Sequence, residues 1–124
     1  MNLAVERFVY LVEDDEDVRD ATLLLLESHG IVARGFATAG DFLGDFDPDL
    51  AVCVILDLHM PEMNGLELLE ILRIGRVPTP VIAISGRRIP VLDKKIERAG
   101  AIAILSKPYC DSDLIALIEK AAAR

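Results

Sequence analysis

Seven consecutive apolar residues, Leu50 to Leu56, run straight into an acid, Asp57. The run is too short to cross a bilayer. It has no polar alternation, so neither face of a strand built from it meets water. That pattern belongs to a central strand of a parallel sheet covered by helices on both sides. Open α/β sheets bind their ligands beyond the carboxyl ends of such strands. Asp57 therefore stands where a ligand would sit, and the question is what the rest of the chain brings to it.

The flanking segments alternate strand and helix. Phe8 to Val12 reads as a short strand that ends in four adjacent acids, Glu13 to Glu16. Four carboxylates in a row repel one another, so their placement needs a compensating gain. Part of it is local: Asp15 can cap the next helix, and Glu16 and Asp17 favour its positive end. That helix is predicted from Glu16 to His29, stopped by Gly30. Its spacing puts Val18, Thr22, Leu25, Leu26 and His29 on one face. Leu23 and Leu24 fall off that face, either wrapping the core edge or forming an apolar docking patch. A second strand is predicted over Ile31 to Phe36. Thr38 then caps a short helix to Leu43, and Asp45 to Asp49 form a turn.

Beyond Asp57, Pro61 and Gly65 punctuate a loop, and Asn64 can cap a helix from Gly65 to Ile74. Leu66, Leu69, Ile71 and Leu72 have helical spacing there. A fourth strand, Val81 to Ile84, ends at Ser85-Gly86. Arg87-Arg88 is either a solvated pair or lines the approach of a phosphate or partner. Pro90 opens a helix to Ala99, with Gly100 as its stop. The fifth strand, Ala101 to Leu105, leads to Ser106-Lys107-Pro108, and a last helix starts after Asp111 or Ser112 and runs to the end. Five repeats of strand then helix predict an α/β fold, a doubly wound parallel five-stranded sheet with right-handed crossovers, as one domain over residues 1–124.

Charge narrows the function. With 13 Lys and Arg against 21 Asp and Glu, the net charge is −8. Phosphates repel such a surface, so direct nucleic-acid binding by this chain is disfavoured; a cation site or a basic partner suits it. Cys53 lies inside the apolar run as a small hydrophobe. With Cys110 it forms no CxxC or Cys/His cluster, so no zinc site is expected. Two lone thiols fit a reducing compartment. The amino-terminal stretch meets acids too early for a secretion signal, and no run is long enough to span a membrane. A soluble, cytoplasmic domain is expected.

The polar residues at strand ends make a constellation. The first strand supplies Glu13 and Asp14, the third Asp57, the fourth Ser85 and the fifth Lys107. A parallel sheet puts all of them on one rim. Clustered carboxylates hold a hard divalent cation, and few ligands with retained waters fit Mg²⁺ better than Ca²⁺. Asp57 could attack phosphorus as an ionised carboxylate. Lys107 would pair with one phosphate oxygen and the Ser85 hydroxyl would bond another.

At these residues the sequence resembles the receiver domain of two-component response regulators. The marks are Glu13-Asp14; Asp57-Leu58-His59-Met60-Pro61 followed by Asn64-Gly65; Ser85-Gly86; and Lys107-Pro108-Tyr109. They fall in the family's order over essentially the whole chain, with a local flavour closest to the FixJ type. The resemblance implies a flavodoxin-like (βα)₅ domain with strand order 2-1-3-4-5. It implies transfer of a phosphoryl group to Asp57 from a histidine kinase or phosphotransfer protein. It implies Mg²⁺ (or Mn²⁺) held by Asp14, Asp57 and the His59 backbone carbonyl, with Glu13 acting through water. Ser85 and Lys107 would then turn toward the phosphate and remodel the surface of the fourth helix and fifth strand. Such a domain catalyses only its own phosphorylation and dephosphorylation. Further partners implied are an output domain or downstream protein, and a second phosphorylated copy in a homodimer.

Three positions depart from the usual pattern. Ile104 replaces an aromatic residue whose rotation reports the switch in many members. Glu13 replaces the commoner aspartate, and Ser85 a threonine. The His59 side chain is expected to point outward and take no part, His29 to end a helix, and Tyr109 and Cys110 to pack in a loop. A cis Lys107–Pro108 bond is within reach, since X–Pro bonds lower the cost of cis. Two other functions stay open on the residues: a phosphatase-type hydrolase with an aspartyl nucleophile, although His59 stands where its second acid would be, and a receiver-like module that binds partners without phosphorylation.

Overall fold

Apolar residues alternate sides along the first strand, and this alternation divides the core in two. In the computed structural model, which describes residues 6–61 and 63–123, Phe8, Tyr10 and Val12 face one side of the sheet, and Val9 and Leu11 the other. The chain runs β1 (Phe8–Val12), α1 (Glu16–Ser28), β2 (Ala33–Phe36), α2 (Ala39–Asp45), β3 (Ala51–Asp57), α3 (Gly65–Ile74), β4 (Val81–Ser85), α4 (Pro90–Arg98), β5 (Ala103–Ser106) and α5 (Asp111–Ala122). All strand pairs are parallel, in the order β2-β1-β3-β4-β5. The expected doubly wound fold and its strand order are what the chain adopts.

On one face, Phe42 of α2, Leu68, Leu69 and Leu72 of α3 and Ile96 of α4 pack on Tyr10, Val54, Leu56 and Ala83. On the other, Leu26 of α1 and Leu114, Ile115 and Ile118 of α5 pack on Val9, Cys53, Ile55 and Ile82. Cys53 is fully buried, and burial pushes its thiol up to about 12, so it is an inert hydrophobe. Tyr10 anchors the first core among Phe36, Phe42 and Phe46, with ring centroids 5.0–5.8 Å away. Its hydroxyl accepts from the Asp47 amide at 3.0 Å, which satisfies the polar end.

The expected caps form. Asp15 accepts from Asp17 and Val18, Thr38 from Asp41, and Asn64 from Glu67. Several boundaries differ from expectation, for one recurring reason. Helix α1 closes with the Gly30 amide donating to Glu27 and the Ile31 amide to Leu26, with Gly30 at φ 71°. Helix α4 closes the same way at Gly100 (φ 94°), spending the Ala101 amide on Ile96. In this closure the two residues after the helix serve the helix end. Strand β2 therefore starts at Ala33 rather than Ile31, and β5 at Ala103 rather than Ala101. His29 is the exposed cap of α1, not a core residue.

Other differences are of facing. In α3, Leu68 is buried where Ile71, 40% exposed, was expected inside. Helix α2 continues to Asp45, and α5 starts one residue early, with exposed Cys110 at its cap rather than packed. Tyr109 does pack, against the second core. The end of α5 at Arg124, and the amino-terminal residues read against a secretion signal, include positions outside the described residues. Leu24 is 66% exposed, whereas Leu23 packs on the core edge, so the two do not form a joint patch. Among the described residues no helix is long and apolar enough to cross a membrane.

Helix α3 ends by the same closure, but its left-handed residue is Arg76 at φ 56°, not Gly75. The Val77 amide still donates to Leu72 and the Arg76 amide to Arg73. A left-handed non-glycine residue costs roughly 1–2 kcal/mol, and glycine's extra chain entropy costs about 0.5–1 kcal/mol. Arg76→Gly should therefore stabilise the fold by about 0.5–1 kcal/mol. Urea unfolding checks this, and a loss of stability would contradict it.

Candidate functional site

Parallel register brings the polar strand ends to one edge. Val12 lies opposite Leu56, Asp57 opposite Ile84, and Ser85 opposite Ser106. The next residues along β1 and β5 are Glu13 and Lys107. Glu13, Asp14 and Asp57 each present one carboxylate oxygen, and the three lie within 4.8 Å of one another. Lys107 Nζ sits 3.1 Å from Glu13 Oε1 and 3.7 Å from Asp57 Oδ2. The sequence-predicted rim residues are thus brought together.

Each side chain is set by main-chain contacts around it. The Glu13 amide donates to Phe36 at 3.0 Å, and Arg19 donates to the Glu13 carbonyl at 2.9 Å. Asp57 Oδ1 accepts from the His59 amide at 2.9 Å, which leaves Oδ2 toward Lys107. The Leu58 amide donates to Ile84, and the Gly65 amide to Leu58, folding the loop back on the strand end. Gly65 is needed for close approach: a Cβ there would stand 2.8 Å from Leu58 Cα and 3.0 Å from the Asp57 carbonyl. The Lys107–Pro108 bond is cis. The Lys107 amide donates to the Ser85 carbonyl at 2.8 Å, which ties the fifth strand end to the fourth.

Burial sorts the acids. Glu13 and Asp57 are buried and Asp14 is exposed. Burial, followed by the hydrogen bond and charge of Asp57, pushes the Glu13 carboxyl up to about 7, against the opposing pull of Lys107. Burial alone would lower Lys107, but the charges of Asp57 and Glu13 outweigh it and hold the ammonium firmly protonated. In the protein Glu13 is the direct partner of Lys107. Beside Asp14 opens a cleft of about 530 Å³, lined also by Thr38, Met60, Pro61 and Met63.

Ser85 is buried, and its hydroxyl donates to the Arg87 carbonyl at 2.7 Å and accepts from the Arg87 amide at 3.2 Å. The expectation that the His59 side chain points outward is corrected: its Nε2 lies 3.2 Å from Ser85 Oγ. The ring is solvent-exposed yet leans back across the site. Nothing in the sequence signals this, because loop side chains have no periodicity to fix their direction. Arg88 was also left undecided. It is engaged, donating to Asp93 at 2.7 Å and to Ser106 at 2.9 Å, so it is no free pair with Arg87. Ile104 is half-buried against the first core.

The donor set suits a hard divalent cation. Three oxygens already converge, and burial, followed by the neighbouring Asp57, makes Glu13 hard to ionise, a cost that a cation would relieve. A raised carboxyl has a defined pH signature. Between the ordinary range near 4.5 and about 7, folded Glu13 keeps a proton that the unfolded chain has released. Its contribution to stability is therefore highest below pH 4.5 and falls as pH rises to about 7. In chelator-treated protein, Glu13→Gln should remove this decline relative to the wild type, as read by urea unfolding across that range. Parallel pH profiles for the two proteins would contradict it.

The family model for the response regulator receiver domain matches residues 9–119. The response regulator protein TmoT of Ectopseudomonas mendocina is 38% identical over 117 residues, covering 94% of this chain and 53% of that protein. The transcriptional regulatory protein FixJ of Bradyrhizobium diazoefficiens is 35% identical over 114 residues, covering 91% and 55%. The chain thus spans about half the length of these relatives. Among solved structures, the response regulator StyR superposes with a TM-score of 0.87 at 33% identity, over 95% of this chain and 60% of that one. The FixJ-N crystal structure does so with a TM-score of 0.86 at 31% identity, over 96% and 95%.

Proposed function

The chain belongs to the response regulator receiver family, and we propose that within it Asp57 accepts a phosphoryl group from the phosphohistidine of a histidine kinase or phosphotransfer protein. The observation that supports this most is the convergence of Glu13, Asp14, Asp57 and Lys107 at one sheet edge. An Asp57 oxygen forms the new bond to phosphorus as the phosphorus–nitrogen bond breaks. The leaving imidazole keeps the electron pair and takes up a proton from solvent. Oδ2 is the oxygen suited to attack, because Oδ1 is held by the His59 amide.

Lys107 already stands beside both acids, and its ammonium would shift from Glu13 to an oxygen of the transferred group. Mg²⁺ or Mn²⁺, held by Asp14, Asp57 and the His59 carbonyl with Glu13 acting through water, would neutralise charge gathering on the phosphoryl oxygens. The Ser85 hydroxyl would turn to bond a phosphoryl oxygen, and the α4–β5 surface would change with it. With Ile104 packed into the core, no aromatic rotor at that position takes part. Residues 1–124 serve as one receiver domain that acts on its own phosphorylation state rather than on other substrates. The relatives are about twice as long, which favours an output domain or a separate downstream protein as the reader of the switch.

Incubation with acetyl phosphate and Mg²⁺, followed by intact-mass measurement, tests the reading. One phosphoryl group should appear on the wild type and none on Asp57→Asn. Lys107→Ala should slow labelling by about 10²-fold, the scale for losing one charge-stabilising donor. Equal labelling of Asp57→Asn, or none of the wild type, would contradict it.

A further inference from the structure

Ser85 must be free to reach a phosphoryl group, yet its hydroxyl is fully engaged in the resting protein. We propose that the His59 side chain is a latch on Ser85: it holds the hydroxyl against the Arg87 main chain and away from Asp57, and it lets go when the switch turns on. The inference rests on the phosphoacceptor role of Asp57.

Hydrogen-bond valence carries the argument. A hydroxyl has one proton and two acceptor sites. The Ser85 proton goes to the Arg87 carbonyl, at 2.7 Å. One acceptor site takes the Arg87 amide and the other meets His59 Nε2, each at 3.2 Å. With its only proton spent, Ser85 can only accept from His59, so the ring carries its hydrogen on Nε2 in this arrangement. Phosphoryl oxygens only accept. Ser85 can therefore bond one only by withdrawing its proton from the Arg87 carbonyl and turning out of this three-way hold.

Two of the three partners are main-chain groups of the turn after β4. His59 is the third and the only side chain. It is also fixed to the reacting group, because its amide donates to Asp57 Oδ1 at 2.9 Å. One residue thus touches the phosphoacceptor through its main chain and the switching hydroxyl through its ring. A change at Asp57 Oδ1 is felt by the same residue that restrains Ser85. His59 is in this sense a positioning residue, acting through Ser85 rather than on phosphorus.

Releasing one such neutral bond should favour the switched state by about 2- to 10-fold. The probe is beryllofluoride, a tetrahedral phosphoryl mimic, titrated with Mg²⁺ into the full chain and followed by NMR. His59→Phe keeps a ring without the donor and should bind the mimic about 2- to 10-fold more tightly than the wild type. His59→Gln, which restores a donor, should fall between them. In a Ser85→Ala background the gain from His59→Phe should vanish. In the free protein, Ser85→Ala should move the His59 Nε2 signal. A gain that persists without the Ser85 hydroxyl, weaker binding by His59→Phe, or an unmoved Nε2 signal overturns the latch alone. A wild type that does not bind the mimic overturns the phosphoacceptor role and the latch with it.

Discussion

Three carboxylates share a space of less than 5 Å at the edge of this sheet, and everything else about the site follows from holding them there. Like charges this close repel strongly when water is scarce. One ammonium, Lys107, stands against them, so when all are ionised two negative charges stay uncompensated. The protein meets part of the cost by leaving Glu13 hard to ionise. A divalent cation would meet the rest, and its charge equals the deficit.

The fold supplies the force that keeps the acids in place. Four parallel strands end within two register rows of one another, and their polar ends have only the rim to occupy. Two separate cores brace the sheet from opposite sides, so strand ends are rigid while loops beyond them can move. Asp57 belongs to β3 itself and is anchored. Ser85 closes β4 and hands its hydroxyl to a turn. Lys107 follows β5 and bridges to Glu13 across the sheet. An anchored carboxylate beside groups held by turns and long side chains is an arrangement suited to signalling, because charge added at the fixed point would pull on its neighbours.

Much of this was legible in the chain. The unbroken run into Asp57 pointed to a doubly covered central strand, and acids or hydroxyls at other strand ends could then meet only on one rim. The helix caps at Asp15, Thr38 and Asn64 were legible because capping is local chemistry. What escaped was set by three-dimensional closure. Ile31 and Ala101 look like strand residues but spend their amides on the preceding helix ends. Arg76 takes the left-handed turn that the adjacent glycine advertises. The Glu13–Lys107 ion pair also escaped, because it depends on the lysine after β5 extending back across the sheet edge. The direction of the His59 ring depends on a loop whose course is fixed by Gly65 pressing on Leu58, a contact no linear pattern encodes.

Cation binding by the rim is the most direct measure of this account. Calorimetric titration of Mg²⁺ near pH 7 should show one saturable site and, because crowded Glu13 gives up its proton when a cation arrives, proton release seen as a heat that depends on the buffer. Asp14→Asn should weaken the site, and Glu13→Gln should remove the proton release. Binding that is absent, or that is indifferent to Asp14 and Glu13, would show that the gathered carboxylates serve some other end.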